Sequence, residues 1–284
     1  MLRTARVATP TATLALFTAL AVGLGIAGTG LAQALPDPPT TSLEDLTPGD
    51  STQGNLPSGS AGNSPATSSS DATGASMWRV PTLAGPPQSD RIAASIYDAQ
   101  HPGSAPEGVN NFSCVPSTQR PRPVVLAHGT NATTYRDFSA LAPLLIADGY
   151  CVFALDYGGM GGDNFGSQDI RTSAAQFGTF VSQVLAATGA GTVDAIGYSQ
   201  GATVTRYYIN KLGGARNVSS WVGIASPSYG GIMYGLVPIV QAVPGGVDLV
   251  ERVTSTAVAQ QMQGSAFLAE LNGGSDTVPG VRYT

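Results

Sequence analysis

The pentapeptide Gly197-Tyr198-Ser199-Gln200-Gly201 places a serine between two glycines at the spacing G-x-S-x-G. A serine at this spacing attacks an acyl carbon when a sharp turn between a strand and a helix holds its hydroxyl clear of the fold. Such a turn strains the backbone and leaves no room for side chains beside it, which explains the glycines. The motif predicts nucleophilic acyl chemistry at Ser199, although chance alone can also produce it in a chain with 36 glycines.

The flanking residues predict the elements that would position this serine. The mostly apolar run 192–196 is typical of a short strand, and residues 202–212 predict a helix that ends at Gly213. A strand, a turn and a helix in this order are the context that the motif requires.

A second motif, His128-Gly129-Thr130, follows directly after the apolar run 123–127, which predicts another buried strand. Acyl transfer through a serine needs N–H donors for the oxyanion of the tetrahedral intermediate. We expect these donors to be the backbone N–H groups of Gln200, next after the nucleophile, and of Thr130. The two motifs together favour a serine hydrolase far more strongly than either motif alone.

Apolar runs alternate with helical patterns through the central part of the chain. Further strands are predicted at 150–156, 221–225 and 281–284 and helices at 138–145 and 170–185, whereas 91–97 has no clear pattern. Strands separated by helices of this length indicate βα units on a mostly parallel sheet, an α/β fold. Sites in such sheets form at the carboxyl ends of the strands, where both motifs lie.

The first residues have the pattern of an export signal. Arg3 and Arg6 precede an uncharged, largely apolar stretch, and Ala32-Gln33-Ala34 supplies a small-x-small cleavage site. We therefore expect a signal peptide at 1–34 and a secreted or cell-envelope protein. An uncleaved membrane anchor is the alternative, because the stretch 11–27 approaches the length of a membrane span.

The remainder divides by composition. Residues 35–89 are rich in Pro, Ser, Thr and Gly and cannot bury enough apolar surface to offset the entropy of ordering, which predicts a disordered linker. The globular domain is expected at 90–284. Within it the segment 230–271 loses the βα rhythm, and both a lid over the site and ordinary packing helices are consistent with its apolar residues.

Composition excludes several classes of partner and cofactor. A net charge of −5 with few charged residues leaves no basic surface for nucleic acid. In an exported chain the two cysteines, Cys114 and Cys151, most simply form a disulfide worth about 3–4 kcal/mol, with two buried thiols as the alternative. Two histidines and a cysteine pair form no convincing ligand cluster, so neither a metal nor another cofactor is expected.

Several segments between 111 and 284 share their pattern with a known family. They are 111–117, 122–130, 150–158, 206–209, 267–268 and 276–284, together with the G-x-S-x-G motif. In this combination the chain resembles the secreted actinobacterial class 2 lipases, which have the α/β-hydrolase fold. The resemblance implies hydrolysis of acylglycerols or simpler esters, with Ser199 as nucleophile and the amides of Thr130 and Gln200 as oxyanion hole. It implies a structural role for His128.

The motif around the serine departs from this family. Tyr198 and Ala202 stand where these lipases commonly have histidine and glycine. The run 197–202 is closer to that of cutinases, but cutinases do not explain the residues 128–130 and are the second choice.

The partners of the nucleophile are not evident. In α/β-hydrolases an acid and then a histidine follow the serine along the chain, but His101 and His128 both precede Ser199. The acid is left unassigned, because Asp276 precedes the penultimate strand in the family pattern whereas the catalytic acid follows that strand. The likeness implies that the chain is truncated at the start of this strand, with the final strand or strands missing, and we expect an inactive form.

Two other classes stay open. One is a noncatalytic envelope protein that holds a lipid in the cleft, and the other is an acyltransferase on the same fold. The expected partner is an ester or lipid substrate, contact with a lipid interface is left open, and the sequence does not indicate an oligomeric state.

Overall fold

The computed structural model describes residues 77–160, 163–231 and 237–284. The signal peptide predicted at 1–34 and the greater part of the linker predicted at 35–89 lie outside these residues. Within the described ranges, no helix has the length and apolar character needed to cross a bilayer.

The described residues form a six-stranded sheet in the order β1-β5-β4-β6-β7-β8. Its strands are β1 Met77–Arg79, β4 Val124–Ala127, β5 Val152–Gly159, β6 Val193–Tyr198, β7 Val218–Ile224 and β8 Arg282–Tyr283. Only β1 runs antiparallel to its neighbour in this sheet. Two short strands, β2 Leu83–Gly85 and β3 Ser104–Pro106, pair separately. The mostly parallel α/β sheet predicted from the sequence is confirmed.

Helices connect and flank these strands. They are α1 Arg91–Gln100, α2 Thr134–Phe138, α3 Leu141–Ala147, α4 Ile170–Thr188, α5 Gln200–Lys211, α6 Val237–Ala242, α7 Gly246–Val253, α8 Thr256–Gln260 and α9 Ala266–Leu271, with a 3-10 turn at Gly214–Arg216. Local capping sets several of their ends. The carboxylate of Asp169 accepts the N–H groups of Arg171 and Thr172 at the start of α4, and Gly189 ends this helix in the left-handed region.

Alternation along the strands explains why the sheet is covered on both faces. In β4, Val125 packs with Phe177 and Phe180 of α4, whereas Leu126 packs with Phe138 of α2 on the opposite face. All residues of β4 and β5 are buried. A strand buried on both faces is a continuous apolar run in the sequence, which is why these strands could be predicted.

The folded part of the chain begins upstream of residue 90, the boundary predicted from composition. Strand β1 lies inside the predicted linker and adds to the edge of the sheet beside β5. Trp78 packs against the main core, and the Nε atom of Arg79 lies 3.0 Å from Oδ2 of the buried Asp156. These contacts offset the entropy cost of ordering the segment. From its composition alone, that cost was expected to keep the segment disordered.

The two cysteines form a disulfide. Cys114 precedes β4 and Cys151 precedes β5, and their Cα atoms are 5.8 Å apart. The bond therefore fixes the segment before β4 to the amino-terminal edge of the sheet.

Candidate active site

Ser199 occupies the turn between β6 and α5 with φ 51° and ψ −122°, a conformation that non-glycine residues rarely adopt. Its N–H donates to the carbonyl of Ile224 at the end of β7, with an N···O distance of 2.8 Å. A Cβ on Gly197 would lie 2.4 Å from the carbonyl of Gly201. The strand, strained turn and helix predicted from the sequence are confirmed, and no side chain fits at the flanking glycines.

The loop after β4 lies against this turn. The pairing of Ala127 with Gly197 between β4 and β6 brings the two carboxyl ends side by side. A Cβ on Gly129 would lie 3.3 Å from Cβ of Ser199, so these two residues are in contact. Thr130 comes next in this loop, and Gln200 is the buried first residue of α5. The structure thus gathers the three residues predicted from the two motifs at one edge of the sheet.

His128 is fully buried and occupied by structural contacts. Its Nδ1 atom is 2.8 Å from the carbonyl oxygen of Gly129, and its Nε2 atom accepts the N–H of Tyr157 at 3.2 Å. These partners place the ring proton on Nδ1. The imidazole also stacks on the Tyr157 ring, with 4.2 Å between centroids. Burial lowers the pKa of His128, so the ring is neutral.

The other histidine lies elsewhere. His101 follows α1, stacks on Tyr97 and has its Nδ1 atom 3.0 Å from the carbonyl oxygen of Tyr97. Within the described ranges neither histidine forms a hydrogen bond with Ser199. In the described part of the chain, both histidines are instead engaged with backbone carbonyl or N–H groups.

Two side chains that the sequence motifs did not indicate hold the loop after β4. The N–H of Gly129 donates to Oδ2 of Asp137 at 2.7 Å. The Nε2 group of Gln261 donates to Oγ1 of Thr130 at 3.0 Å and to the carbonyl of Ala257 at 2.9 Å. No local pattern identifies either residue, because each reaches the loop only through the tertiary fold.

Two of the acids that follow Ser199, Asp276 and Glu270, have structural partners. Asp276 lies 2.8 Å from the Nη2 atom of the buried Arg206 and accepts the hydroxyl of Tyr229. Glu270 pairs with Arg171 at 2.5 Å and accepts the hydroxyl of Tyr207. Asp276 and Glu270 are thus both held by side-chain contacts away from Ser199 within the described residues.

Two helices of the segment 230–271 pack against the core, as one of the two interpretations of the sequence expected. Ala257 of α8 and Phe267 of α9 lie in the main core, and Gln260 accepts the N–H of Ile170 at the start of α4. These are packing helices. By contrast, α6, α7 and the turn between them carry exposed apolar side chains, namely Ile239, Val243, Val247, Leu249 and Val253.

Metal ligands are not grouped at this site. Within 77–160, 163–231 and 237–284, no cluster of three or more His, Cys, Asp or Glu side chains is arranged to hold a metal ion.

Comparison with known proteins gives one family model, described as the alpha/beta hydrolase fold, which matches residues 122–256. Similar solved structures include mature Bacillus licheniformis lipase BlEst2, at 16% identity over 59% of this chain and 65% of that chain, with a TM-score of 0.44. Aspergillus fumigatus lipase B is 14% identical over 63% of this chain and 38% of that chain, with a TM-score of 0.45. Phospholipase PlaB from Legionella pneumophila is 16% identical over 57% of this chain and 37% of that chain, with a TM-score of 0.40.

The family model covers β4 to β7, the part of the chain that contains both motifs. The sheet in this part is parallel and has helices on both of its faces, with the nucleophile turn at its carboxyl edge. On these grounds the chain has the α/β-hydrolase fold.

Proposed function

We propose that this site belongs to a serine-dependent carboxylic-ester hydrolase of the lipase and esterase type, acting on acylglycerols or simpler esters. The observation that carries the proposal is the contact between the strained Ser199 and the loop of Gly129 and Thr130. In the reaction, Oγ of Ser199 adds to the ester carbonyl, and its proton passes to the leaving oxygen, which departs as the alcohol. Water then adds to the acyl-enzyme, releases the acid and returns a proton to Oγ of Ser199. The N–H groups of Thr130 and Gln200 stabilise the oxyanion.

Slow turnover follows from the surroundings of the nucleophile. Both ring nitrogens of His128 are engaged with backbone groups, and His101 contacts Tyr97. A serine without its general base retains about a thousandth or less of normal activity. We propose that the chain hydrolyses esters at most at this residual level.

Exposed apolar side chains support an acyl-chain substrate and contact with a lipid interface. Ile224 accepts the Ser199 N–H through its carbonyl and is itself exposed, so an apolar side chain borders the nucleophile. Helices α6 and α7 also carry exposed apolar side chains, as a lipid-contacting protein would. The export-signal pattern at 1–34 and the disulfide support a location outside the cytoplasm.

The occupied histidines favour a second candidate, a noncatalytic protein that holds a lipid in the same cleft. Esterase assays with p-nitrophenyl butyrate and labelling with a fluorophosphonate separate the two. Ser199→Ala is the test variant, and Ser182→Ala, an exposed serine on α4, is the matched control.

Labelling that is lost in Ser199→Ala, together with slow turnover, is expected. Turnover at ordinary esterase rates that depends on Ser199 would overturn the inactivity proposal. Absence of labelling, combined with binding of a fluorescent fatty acid, would support the noncatalytic alternative instead.

A further inference from the structure

An ion pair between the buried Asp137 and the half-exposed Arg91 lies behind the loop that contacts Ser199. Asp137 of α2 has a fully buried side chain, and its Oδ2 atom accepts the N–H of Gly129 at 2.7 Å. Its Oδ1 atom accepts from Nε of Arg91, also at 2.7 Å. One carboxylate therefore joins α1 and α2 to the loop after β4.

This carboxylate is close to the reacting serine. A Cβ on Gly129 would lie 3.3 Å from Oδ2 of Asp137 and 3.3 Å from Cβ of Ser199. Asp137 and Ser199 thus both lie next to Gly129. A charge on Asp137 is therefore near the oxyanion that develops when Ser199 attacks an acyl group.

The position of Arg91 is not explained by the helix that carries it. Arg91 is the first residue of α1, where the positive end of the helix dipole disfavours a cation. The cap Asp90 accepts the N–H groups of Ile92 and Ala93, each at 2.9 Å, and so fixes this first turn. Partial burial acts to lower the pKa of Arg91, but the hydrogen bond and charge of Asp137 outweigh it, and the pKa is raised.

A carboxylate at this place has two opposite effects on the proposed chemistry. By accepting the Gly129 N–H it fixes the orientation of this peptide, and the next amide along the chain is that of Thr130. Its negative charge, however, opposes an oxyanion beside Ser199. A cation paired with the carboxylate leaves the hydrogen bond to Gly129 in place and neutralises the charge that opposes the oxyanion.

We propose that Asp137 and Arg91 are positioning residues of the oxyanion loop, with Asp137 holding the Gly129 peptide and Arg91 neutralising the carboxylate beside the nucleophile. The effect on Ser199 rests on the proposed function. The effect on the loop does not, and it is measured separately.

The test uses the full chain with Asp137→Ala, Arg91→Gln and the double variant Arg91→Gln/Asp137→Asn. The control is Arg120→Gln, because Arg120 pairs with Asp148 at 2.6 Å near the opposite, amino-terminal edge of the sheet. Two quantities are measured: hydrogen exchange of the Gly129 amide by NMR, and the rate of Ser199 modification by an uncharged fluorophosphonate ester.

Loss of one charge-assisted hydrogen bond corresponds to a change of about tenfold to a hundredfold. We expect Gly129 exchange to be about a hundredfold faster in Asp137→Ala and about tenfold faster in Arg91→Gln. Ser199 modification is expected to slow by about tenfold in Arg91→Gln, less so at high salt. The double variant recovers most of both losses, because its neutral amides keep the hydrogen bonds and leave no charge. Arg120→Gln changes neither quantity.

Unchanged Gly129 exchange in Asp137→Ala would overturn the proposal, as would a double variant no better than Arg91→Gln. If the fluorophosphonate does not modify Ser199 in the parent chain, the proposed function fails. In that case the exchange rate of the Gly129 amide alone tests whether Asp137 and Arg91 position the loop.

Discussion

Gly201 packs so tightly under Ala127 that a Cβ on the glycine would lie 2.0 Å from the carbonyl oxygen of the alanine. We expect Gly201→Ala to force α5 away from β4 and to lower the free energy of unfolding by about 2–3 kcal/mol, the usual cost of overpacking. Urea denaturation followed by circular dichroism measures this loss.

The matched control is Gly191→Ala, because a Cβ on Gly191 meets no atom within 4 Å. Its free energy of unfolding should change by no more than about 0.5 kcal/mol. Equal stability of the two variants would contradict the close packing of α5 against β4.

Gln261 connects α8 and its following turn to the candidate oxyanion loop. Replacement by methionine, which has a similar shape, removes the hydrogen bonds to Thr130 and Ala257. We expect Gln261→Met to slow fluorophosphonate labelling of Ser199 by about tenfold and to destabilise the protein by about 1–2 kcal/mol. Gln241→Met removes an exposed hydrogen bond to the carbonyl of Gln263 and should leave the labelling rate unchanged. Equal labelling rates in both variants would show that Gln261 does not position the loop.

His128 makes stability depend on pH. Burial lowers its pKa in the folded state, so the unfolded chain takes up a proton near pH 6.5 before the folded chain does. The corresponding stability is present above pH 6.5 and is lost as the pH falls below it, by at most about 1.4 kcal/mol per pH unit. In His128→Asn this slope should disappear, whereas His101→Gln should keep it. If the free energy of unfolding still falls with pH in His128→Asn, another titrating group causes the dependence.

Tyr207 makes the stability of the fold decrease as the pH rises above 10. Burial first, and then the hydrogen bond and charge of Glu270, raise the pKa of Tyr207 to about 12. Stability from this shift is present below pH 10 and is lost as the pH rises toward 12. The loss is about 1 kcal/mol, because solvent screens the exposed carboxylate of Glu270. Comparison with Tyr207→Phe isolates this loss, and the ultraviolet absorbance of tyrosinate reports the pKa directly.

Glu270→Gln tests the cause of the shift. The substitution should lower the pKa of Tyr207 but leave it above 10, because burial, the largest single cause, still raises it. An unchanged titration in Glu270→Gln would contradict the role of the carboxylate.

Local features of the sequence predicted the central sheet and the nucleophile turn. The run 124–127 alternates between two cores, so its apolar character is continuous and its end is marked by His128. The turn at Ser199 could be predicted because the G-x-S-x-G pattern marks it, and at Gly197 the clash is local, with the backbone of Gly201 and Ala202. The roles of Ser199, Thr130 and Gln200 in chemistry stay predictions.

Contacts distant in sequence could not be predicted in this way. Arg91 and Asp137 are 46 residues apart, and Gln261 lies 131 residues from Thr130. Strand β1 has only three residues, and its stability depends on pairing with β5 and on the ion pair with Asp156. No window of periodicity contains these partners, and only the fold brings them together.

The buried guanidinium of Arg206 bears on the order in which the parts of this site assemble during synthesis. Its partner Asp276 is 70 residues further along the chain, and Asn272 accepts a second hydrogen bond from the same side chain at 2.8 Å. A buried cation without its counter-ion is strongly unfavourable. During synthesis, we therefore expect α5 to reach its final place only after residues 272–276 have emerged from the ribosome. We expect a nascent chain to carry the Ser199 motif well before it carries an assembled nucleophile.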